Sequence, residues 1–210
     1  RSRMLNPNAA APSSRLADEE DDAAPPSIKN SRQVDKHYFD SRIVMITGEI
    51  SHTLAERVCV NLFALAQAGN DPITMIISSP GGHVESGDMI HDMIKFIKPR
   101  VRVMGSGWVA SAGALIYIAA DKKDRYILPN TRFLLHAPSG GVGGKVTDIG
   151  IQAKEMMLMR ERLNKLFAEA TGQPIKKIEK DTDRDFWLSG REAIDYGLAT
   201  HMITSMSELK

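Results

Sequence analysis

The sequence predicts an α/β domain with a mainly parallel sheet, and three observations lead to this prediction. From Tyr38 onward, short apolar runs alternate with longer segments in which apolar residues recur every three or four positions. Gly and Pro separate most of these segments. The chain has 210 residues, 42% hydrophobic and 25% charged, which suits one globular domain. Strands that alternate with helices favour parallel pairing, since each helix returns the chain to the same end of the sheet.

The first half of the domain is expected to hold strands at 43–47, 73–77 and 101–104. A capping box of Thr53 with Glu56 predicts the start of the first helix, which ends at Gly69.

The second helix follows the turn Ser79-Pro80-Gly81-Gly82 and is stopped by Pro99. Its apolar face is predicted to consist of Met89, Met93, Ile94 and Ile97. A third, apolar helix over 109–120 follows a predicted loop at Gly105-Ser106-Gly107.

The second half begins with two expected strands, 126–128 and 133–135. A glycine-rich segment over 139–144 then leads into a long helix, about 146–170, which closes at Gly172. Ser189 and Glu192 form a second capping box for a short helix that ends at Gly197.

Composition excludes several classes of protein. A net charge of +1 argues against a dedicated nucleic-acid binder, and no apolar run approaches the roughly 20 residues that span a bilayer. The single cysteine, Cys59, excludes an internal disulfide framework and a cysteine-based zinc site. Because no signal peptide is visible, a cytoplasmic location is expected. Residues 1–30 carry the acidic run 18–22 and few large apolar residues, so they are expected to be flexible.

Ser111 is the first candidate for chemistry. It lies among small residues at a predicted passage from strand to helix, where a hydroxyl is accessible to a substrate carbonyl. The surroundings do not match the G-x-S-x-G pattern of the α/β-hydrolases. Close helix packing also produces small residues around a serine, so this run alone leaves both interpretations open.

His136 and the acidic cluster 181–185 are the other candidates. His136 ends an apolar strand, and ligands of open α/β folds bind at that edge of the sheet. A histidine satisfied by backbone groups is the alternative. The cluster Asp181-Thr182-Asp183-Arg184-Asp185 could cap a helix or supply a carboxylate that orients an imidazole, and Arg184 argues against a compact metal site. His83, next to Gly81-Gly82, is a candidate for the rim of a site.

From about residue 31 to residue 203 the chain resembles ClpP, the proteolytic subunit of the Clp protease. The resemblance rests on the order and spacing of several motifs. These motifs are Ser79-Pro80-Gly81-Gly82, the Gly-x-x-x-Ala-Ser-x-Gly-Ala run that ends at Ala114, Leu128-Pro129-Asn130, His136 with Pro138, Thr171-Gly172-Gln173, 181–185, and Ala193 with Tyr196-Gly197-Leu198. It implies a ClpP/crotonase-like α/β fold over residues 31–210, with a protruding strand-helix handle at about 139–171.

The resemblance also implies roles for individual residues. Ser111 would be the nucleophile, His136 the general base and Asp185 the carboxylate that holds the imidazole. The backbone N–H groups of Gly82 and Ala112 would form the oxyanion hole. No metal and no cofactor in the subunit are implied, because ATP is used by a partner ATPase.

Further implied residues concern substrate and assembly. Gly140, Gly141, Val142 and Gly143 would pair with the extended substrate backbone. Asp183 and Arg184 would pair between two seven-membered rings stacked into a tetradecamer, formed by this chain alone or mixed with another ClpP-type subunit. An AAA+ unfoldase would deliver polypeptide substrates, with no nucleic acid and no membrane involved. Ala112, Ala137 and Ser78 replace a frequent Met, Gln and Asn of the family, and they line the substrate cleft.

Two other functions are kept as alternatives. A crotonase-like acyl-CoA enzyme shares the general fold but does not need Ser111, His136 and Asp185 together. A non-catalytic or weakly active ring subunit that assembles with another peptidase subunit is the second alternative. A serine-reactive probe separates these possibilities from a serine endopeptidase.

Overall fold

The computed structural model of the chain describes residues 31–141 and 143–210, and the side chains from residue 36 onward. The predicted flexible segment 1–30 and Val142 lie outside the described residues. In the described part, no helix is both long and apolar enough to cross a lipid bilayer.

The described residues form an α/β fold with one seven-stranded sheet. The strands are β1 Ile43–Thr47, β2 Ile73–Ser79, β3 Val101–Ala110, β4 Arg125–Ile127, β5 Arg132–Leu135, β6 Phe186–Ser189 and β7 His201–Met202. The α-helices are α1 Ser31–Ser41, α2 His52–Ala68, α3 Val84–Phe96, α4 Ala112–Tyr117, α5 Val146–Thr171, α6 Ile175–Asp181 and α7 Gly190–Tyr196.

The sheet is mainly parallel, as predicted. Strands β1, β2, β3, β4 and β7 follow one another in parallel pairs. The far half of β3 leaves this order and pairs with β5, and β6 runs antiparallel to β5. Strands β5 and β6 branch off at the end of β3. The residues just after β3, those just after β5 and those just before β6 therefore meet at one corner of the sheet.

The core lies between the central strands and helices α2, α3 and α4. Helix α3 contacts both α2 and α4. A Cβ atom added at Gly87 of α3 would lie 3.2 Å from the Cβ of Ala112, which is tighter than an ordinary contact, so the glycine favours the close approach of the two helices. Ile46, Ile77, Ile90 and Leu62 are fully buried in this region. Tight packing here holds the first turn of α4 in a fixed position.

Several boundaries differ from the predictions. Helix α2 is capped by the side chain of Ser51, which accepts from the Leu54 N–H at 3.2 Å, so the predicted Thr53–Glu56 capping box is wrong. Strand β3 continues through the predicted loop at Gly105–Gly107 and shortens the predicted 109–120 helix to Ala112–Tyr117. The hydroxyl of Thr131 donates to the Gly105 carbonyl at 2.8 Å, and β3 changes partner from β4 to β5 at this point.

Helix α5 is the longest element, and its two ends differ in burial. Leu163, Asn164, Phe167 and Thr171 near its C-terminal end are buried. The first three turns are exposed, and the apolar side chain of Val146 is 86% exposed. The helix ends at Gly172 in the left-handed conformation, as predicted. Its first half therefore projects from the domain with apolar residues uncovered in the single chain.

Candidate active site

Ser111 occupies a strained turn between β3 and α4. Its φ of +52° lies in the left-handed region that residues with a Cβ rarely adopt. Such a conformation costs about 1–3 kcal/mol and persists only where neighbouring bonds fix it. The Ser111 N–H donates to the Leu134 carbonyl at 2.8 Å, and the Ser111 carbonyl accepts from Ala114 and Leu115. The side chain makes no capping bond to α4, so its hydroxyl is available to another partner.

That partner is the imidazole of His136. Its Nε2 lies 2.8 Å from Oγ of Ser111, and its Nδ1 lies 3.1 Å from Oδ1 of Asp185. An imidazole that donates from Nδ1 to a carboxylate keeps Nε2 free to accept the serine proton. The side chains of His136 and Asp185 are 29% and 66% exposed, so the relay opens to solvent in the single chain.

The register of the sheet explains why these residues meet. Strand β5 pairs with β6 through Leu135 and Phe186, so the next residues outward, His136 and Asp185, face each other. Strand β3 pairs with β5 through Ala110 and Leu134, and Ser111 follows Ala110 directly. Of the acidic residues in 181–185, only Asp185 has this position. Strand β6 was not predicted, because a four-residue run gives little signal without its pairing partner.

The loop after β2 passes directly against Ser111. A Cβ atom added at Gly81 would lie 2.6 Å from the Cβ of Ser111, and one at Gly82 would lie 2.4 Å from the Ile50 carbonyl oxygen. Both glycines have positive φ, +99° and +146°. A side chain at Gly81 would therefore push the loop away from the serine, and one at Gly82 would push it away from the backbone of Ile50.

Hydrogen bonds around this loop leave particular N–H groups free. The buried Ser79 Oγ accepts from the Gly81 N–H at 3.0 Å, a contact that sequence analysis missed although Ser79 begins the motif. Ile50 N–H donates to the Gly81 carbonyl at 2.8 Å, and the Ile50 carbonyl accepts from the His83 N–H at 2.8 Å. Within the described residues, the N–H groups of Gly82 and Ala112 have no acceptor. These are the two donors predicted for an oxyanion hole.

Thr182 links the loop that carries Asp185 to two other elements. The residue is 2% exposed, and its carbonyl accepts from the Ala137 N–H at 2.7 Å. Its hydroxyl lies 3.1 Å from Oδ1 of Asn164 on α5 and 2.8 Å from the Ile178 carbonyl oxygen. Thr182 thus connects the long helix to the residue after His136. Sequence reasoning missed this link because nothing local distinguishes a buried Thr within an acidic run.

Asp181, at the end of α6, stabilises the same loop electrostatically. Burial alone would raise the pKa of Asp181, but hydrogen bonds donated by Lys177 and Tyr196 outweigh it and hold this pKa below its ordinary value. The two donors lie 2.6 Å and 2.8 Å from Oδ2. Asp181 is therefore engaged in support of the loop and is not available to the imidazole.

The residues predicted to bind substrate and to pair between rings lie on the surface of the single chain. Gly140, Gly141 and Gly143 lie on the surface and are not part of a strand. Asp183 pairs with Arg160 of α5 at 2.9 Å, and Arg184 is exposed without a partner among the described residues. Val142 lies outside the described part of the chain.

The remaining histidines near the site have structural contacts. His83 precedes α3, with Nδ1 at 2.8 Å from Ser86 Oγ and Nε2 at 3.3 Å from Glu85. His91 of α3 is buried at 8% exposure, with Nδ1 3.2 Å from Oδ1 of Asp92. Across residues 31–141 and 143–210, no three His, Cys, Asp or Glu side chains gather into a group that could hold a metal ion.

The geometry described above supports acyl transfer. A hydroxyl faces an imidazole, and a carboxylate orients that imidazole. The two N–H groups without an acceptor among the described residues belong to Ala112, directly after Ser111, and to Gly82, in the loop that packs against Ser111. This combination provides a nucleophile, its base and donors for a developing oxyanion.

Comparisons with known proteins point the same way. The family model for Clp protease matches residues 28–206. The chain is 56% identical over 194 residues to the ATP-dependent Clp protease proteolytic subunit 3 of Rhizobium etli, covering 92% of this chain and 100% of that one. It is 62% identical over 167 residues to the ATP-dependent Clp protease proteolytic subunit of Paracoccus denitrificans, covering 80% and 84%.

A solved structure is similar over almost its whole length. ClpP1 from Listeria monocytogenes superimposes with a TM-score of 0.78 at 54% sequence identity. The alignment covers 84% of this chain and 99% of the Listeria chain. At this level of identity the likeness extends beyond the fold.

Proposed function

The chain belongs to the Clp protease family and is a serine-type proteolytic subunit, and from this premise we propose that Ser111, His136 and Asp185 carry out its peptide hydrolysis. The observation that carries the proposal is the continuous relay from Asp185 Oδ1 through both imidazole nitrogens to Ser111 Oγ, with contacts of 3.1 Å and 2.8 Å. Each residue has a separate role that follows from its place in this relay.

The reaction begins when Ser111 Oγ attacks the carbonyl carbon of the scissile peptide bond. His136 Nε2 takes the hydroxyl proton as the new C–O bond forms, and Asp185 stabilises the resulting imidazolium. The oxyanion accepts hydrogen bonds from the N–H groups of Gly82 and Ala112, which have no competing acceptor in the described residues.

Collapse of the tetrahedral intermediate breaks the C–N bond. The amine leaves with the proton held by His136, and an acyl ester remains on Ser111. Water then gives a proton to His136 and attacks the ester carbonyl. Ser111 recovers its proton when the carboxylic acid product leaves, so the subunit returns to its initial state without a consumed group.

This cycle requires no cofactor in the subunit. Hydrolysis of a peptide bond needs only water, and the proton carriers are side chains of the chain itself. The relatives are named as ATP-dependent Clp protease proteolytic subunits. We therefore assign the use of ATP to a partner ATPase of the AAA+ class, which delivers unfolded polypeptides to the subunit.

The proposed assembly is a pair of stacked heptameric rings, formed by this chain alone or mixed with a related subunit. The exposed first half of α5 supports this, because Val146, Ile151 and Met157 are apolar and uncovered in the single chain. The exposed glycines of 140–143 would pair with the backbone of an extended substrate inside the chamber. Arg184, exposed beside Asp185, would bind an acidic group across the ring interface. Asp183 would likewise pair across this interface.

A fluorophosphonate probe tests the catalytic assignment directly. The purified protein should gain the mass of one phosphonyl group, and peptide mapping should find that group on Ser111. Ser111→Ala should take up no probe and hydrolyse no peptide while its assembled mass is unchanged. Asp185→Asn should lower kcat by about 10⁴-fold, because the imidazole loses the partner that fixes its tautomer.

The outcomes separate the alternatives. Peptide hydrolysis by Ser111→Ala at the rate of the original chain would refute the assignment. A chain that does not react with the probe and gains activity only with a second ClpP-type subunit would be the non-catalytic ring subunit. The crotonase-like alternative is not favoured, since the relatives are proteolytic subunits.

A further inference from the structure

Two tryptophans and an arginine form an exposed surface on the strands that end at the active site. Trp108 lies on β3, Arg132 on β5 and Trp187 on β6. The tryptophans are 44% and 38% exposed, and Arg132 is exposed as well. A large indole ring gains free energy when it is covered, so two of them on one surface indicate a binding partner. We call these three residues the tryptophan platform.

The two faces of strands β5 and β6 differ in burial. Phe133 and Leu188, directly opposite each other, are only 0% and 6% exposed. Arg132 and Trp187 alternate with them and therefore point to the other face, which is open to solvent in the single chain. Trp108 is opposite Arg132 in the parallel pair of β3 with β5, so its side chain joins the same open face.

The same alternation places two catalytic side chains on this open face. His136 is four residues after Arg132, and Asp185 is two residues before Trp187. Residues an even number of steps apart share a face of a strand. The hydrogen bond between His136 and Asp185 agrees with this placement. At about 3.3 Å per residue, Trp187 is about 7 Å from Asp185 and Arg132 about 13 Å from His136, measured along their strands.

Arg132 gives the platform its charge. Its guanidinium carbon lies 4.5 Å from the centre of the Trp187 ring, which is the geometry of a cation–π contact. Arg132 has no acidic partner within ion-pair distance among the described residues. A guanidinium that stacks on an indole keeps the N–H groups at its edge available. A carboxylate suits this edge, because it accepts two parallel hydrogen bonds.

The course of the reaction determines which part of a substrate meets the platform. His136 Nε2 returns its proton to the leaving amine, so the segment on the C-terminal side of the cleaved bond begins beside the imidazole. When extended, this segment advances about 3.3 Å per residue. Its second to fourth residues therefore come within reach of Trp187 and Arg132, which share the face of His136.

We propose that the tryptophan platform binds the leaving segment of the substrate and that Arg132 pairs with a carboxylate two to four residues after the cleaved bond. The indoles of Trp108 and Trp187 pack against the same segment. The inference rests on the proposed function and specifies its substrate class. The carboxylate belongs to an Asp or Glu side chain, or to the free C-terminus of a short peptide. Arg132 is a specificity-determining residue, because it contacts substrate without taking part in proton transfer.

The kinetic test uses internally quenched peptides that differ only at the third residue after the cleaved bond, which is Glu, Gln or Lys. The value of kcat/KM should be about three- to fivefold higher for Glu than for Gln, the range of one exposed ion pair, and lowest for Lys. The difference should lie mainly in KM, because the contact is the same in the ground and transition states. High salt should reduce it by screening the charges.

A second pair of peptides distinguishes the two sources of the carboxylate. Both carry Gln at the third position and end there, one with a free C-terminal carboxylate and the other with an amide. Faster cleavage of the free acid shows that a terminal carboxylate binds as well as a side chain. Equal rates for this pair, together with a preference for Glu, restrict the partner to an acidic side chain.

Variants of Arg132 test the assignment of the charge. Arg132→Gln keeps hydrogen-bond donors but removes the charge, so the Glu:Lys ratio of kcat/KM should fall to about one, and Arg132→Glu should reverse the preference. Arg57→Gln is the matched control, since Arg57 of α2 is also exposed and forms no ion pair with a described residue. It should keep the ratio within about twofold of the original. An unchanged ratio in Arg132→Gln, or an equal change in Arg57→Gln, would overturn the inference.

Tryptophan fluorescence gives a readout that does not depend on turnover. Trp108 and Trp187 are the only two tryptophans of the chain, so the emission reports on the platform alone. In the Ser111→Ala protein, the Glu peptide should change the emission and saturate the change at a lower concentration than the Lys peptide. Trp108→Leu should raise KM for all three peptides, because their shared contact with the indole is lost.

The outcomes separate this inference from the proposed function. If Ser111 reacts with a fluorophosphonate but the three peptides are cleaved equally fast, the platform inference is wrong and the serine chemistry stands. If Ser111 does not react and no peptide is cleaved, the proposed function fails and the inference about the leaving segment fails with it. If Trp108→Leu or Arg132→Gln changes the assembled mass and not the peptide preference, the platform is a contact between subunits and the inference is overturned.

Discussion

Thr182→Val removes the hydroxyl group that connects the Asp185 loop to helix α5. The Thr182 side chain is buried, with its hydroxyl 3.1 Å from Asn164 Oδ1 and 2.8 Å from the Ile178 carbonyl oxygen. Valine has nearly the same shape, so the substitution changes hydrogen bonding more than packing. The bond from the Ala137 N–H to the Thr182 carbonyl is retained, because it involves only the backbone.

The loss of stability comes from a buried acceptor that loses its donor. The hydroxyl carries one proton, so Thr182→Val removes one donated hydrogen bond, and a buried acceptor left without its donor costs about 1–3 kcal/mol. Asn164 is only 4% exposed, so water does not readily replace the hydroxyl. The free energy of unfolding should therefore fall by about 1–3 kcal/mol.

The effect on turnover comes from the position of Asp185. Its carboxylate lies 3.1 Å from Nδ1 of His136, and the loop that holds it loses its buried hydrogen bond to α5, keeping only the exposed bridge from Asp183 to Arg160. A displacement of about 1 Å can lower a rate by roughly 100-fold. We expect kcat to fall by about 10- to 100-fold with little change in KM, because Thr182 is not among the residues proposed to bind substrate.

The assay combines urea unfolding at fixed protein concentration with peptide kinetics. Thr182→Ser, which keeps the hydroxyl, is the control and should retain most of the activity. In combination with Asn164→Ala, the two losses of stability should be less than additive by about 0.5–3 kcal/mol. Equal kcat values for Thr182→Val and Thr182→Ser would refute the positioning role, and a loss of stability without a loss of kcat would restrict Thr182 to a structural one.

Asp181→Asn should lower the free energy of unfolding at neutral pH by about 1–3 kcal/mol, since it weakens the charged hydrogen bonds from Lys177 and Tyr196. Because the pKa of Asp181 is depressed in the folded protein, this difference should be full above about pH 4 and shrink as the pH falls further. Urea midpoints for both proteins across this range check it, and a difference that grows in acid would contradict it. If the protein assembles as the proposed double ring, Arg184→Ala should shift it toward a single ring and lower its specific activity, as measured by light scattering with peptide turnover. An unchanged mass would refute the bridging role of Arg184.

Most features that depend on neighbouring residues were predictable from the sequence, although Ser51 caps α2 where a capping box of Thr53 with Glu56 was predicted. The capping box of Ser189 with Glu192 and the helix ends at Gly172 and Gly197 are confirmed, because each involves contacts within a few residues. The alternation of strands and helices likewise predicted the parallel sheet. Such signals are carried by local periodicity and local backbone preference.

Features that depend on distant pairing were not predictable. The continuation of β3 through Gly105–Gly107 follows from its two successive partners, β4 and β5, which lie later in the chain. Strand β6 exists because β5 offers it an edge. From the residues alone, the acidic run 181–185 could equally have capped a helix. The antiparallel register of β5 and β6 distinguishes Asp185 from Asp181 and Asp183, and this register is a tertiary property.

The exposure of the Asp185 side chain to solvent makes the strength of its interaction with His136 depend on whether the surrounding surface is covered. An ion pair in water contributes only about 0–1 kcal/mol, and the Asp185 side chain is 66% exposed in the single chain. The carboxylate can thus orient His136 by geometry, but it stabilises the imidazolium weakly while solvent surrounds it. The bridge from Asp183 to Arg160 joins this loop to α5, whose first half is also exposed. A second subunit that covers this surface would bury the apolar residues of α5 and exclude water from Asp185 together. Because the interaction between charges strengthens as water is removed, assembly and turnover should depend on the same surface.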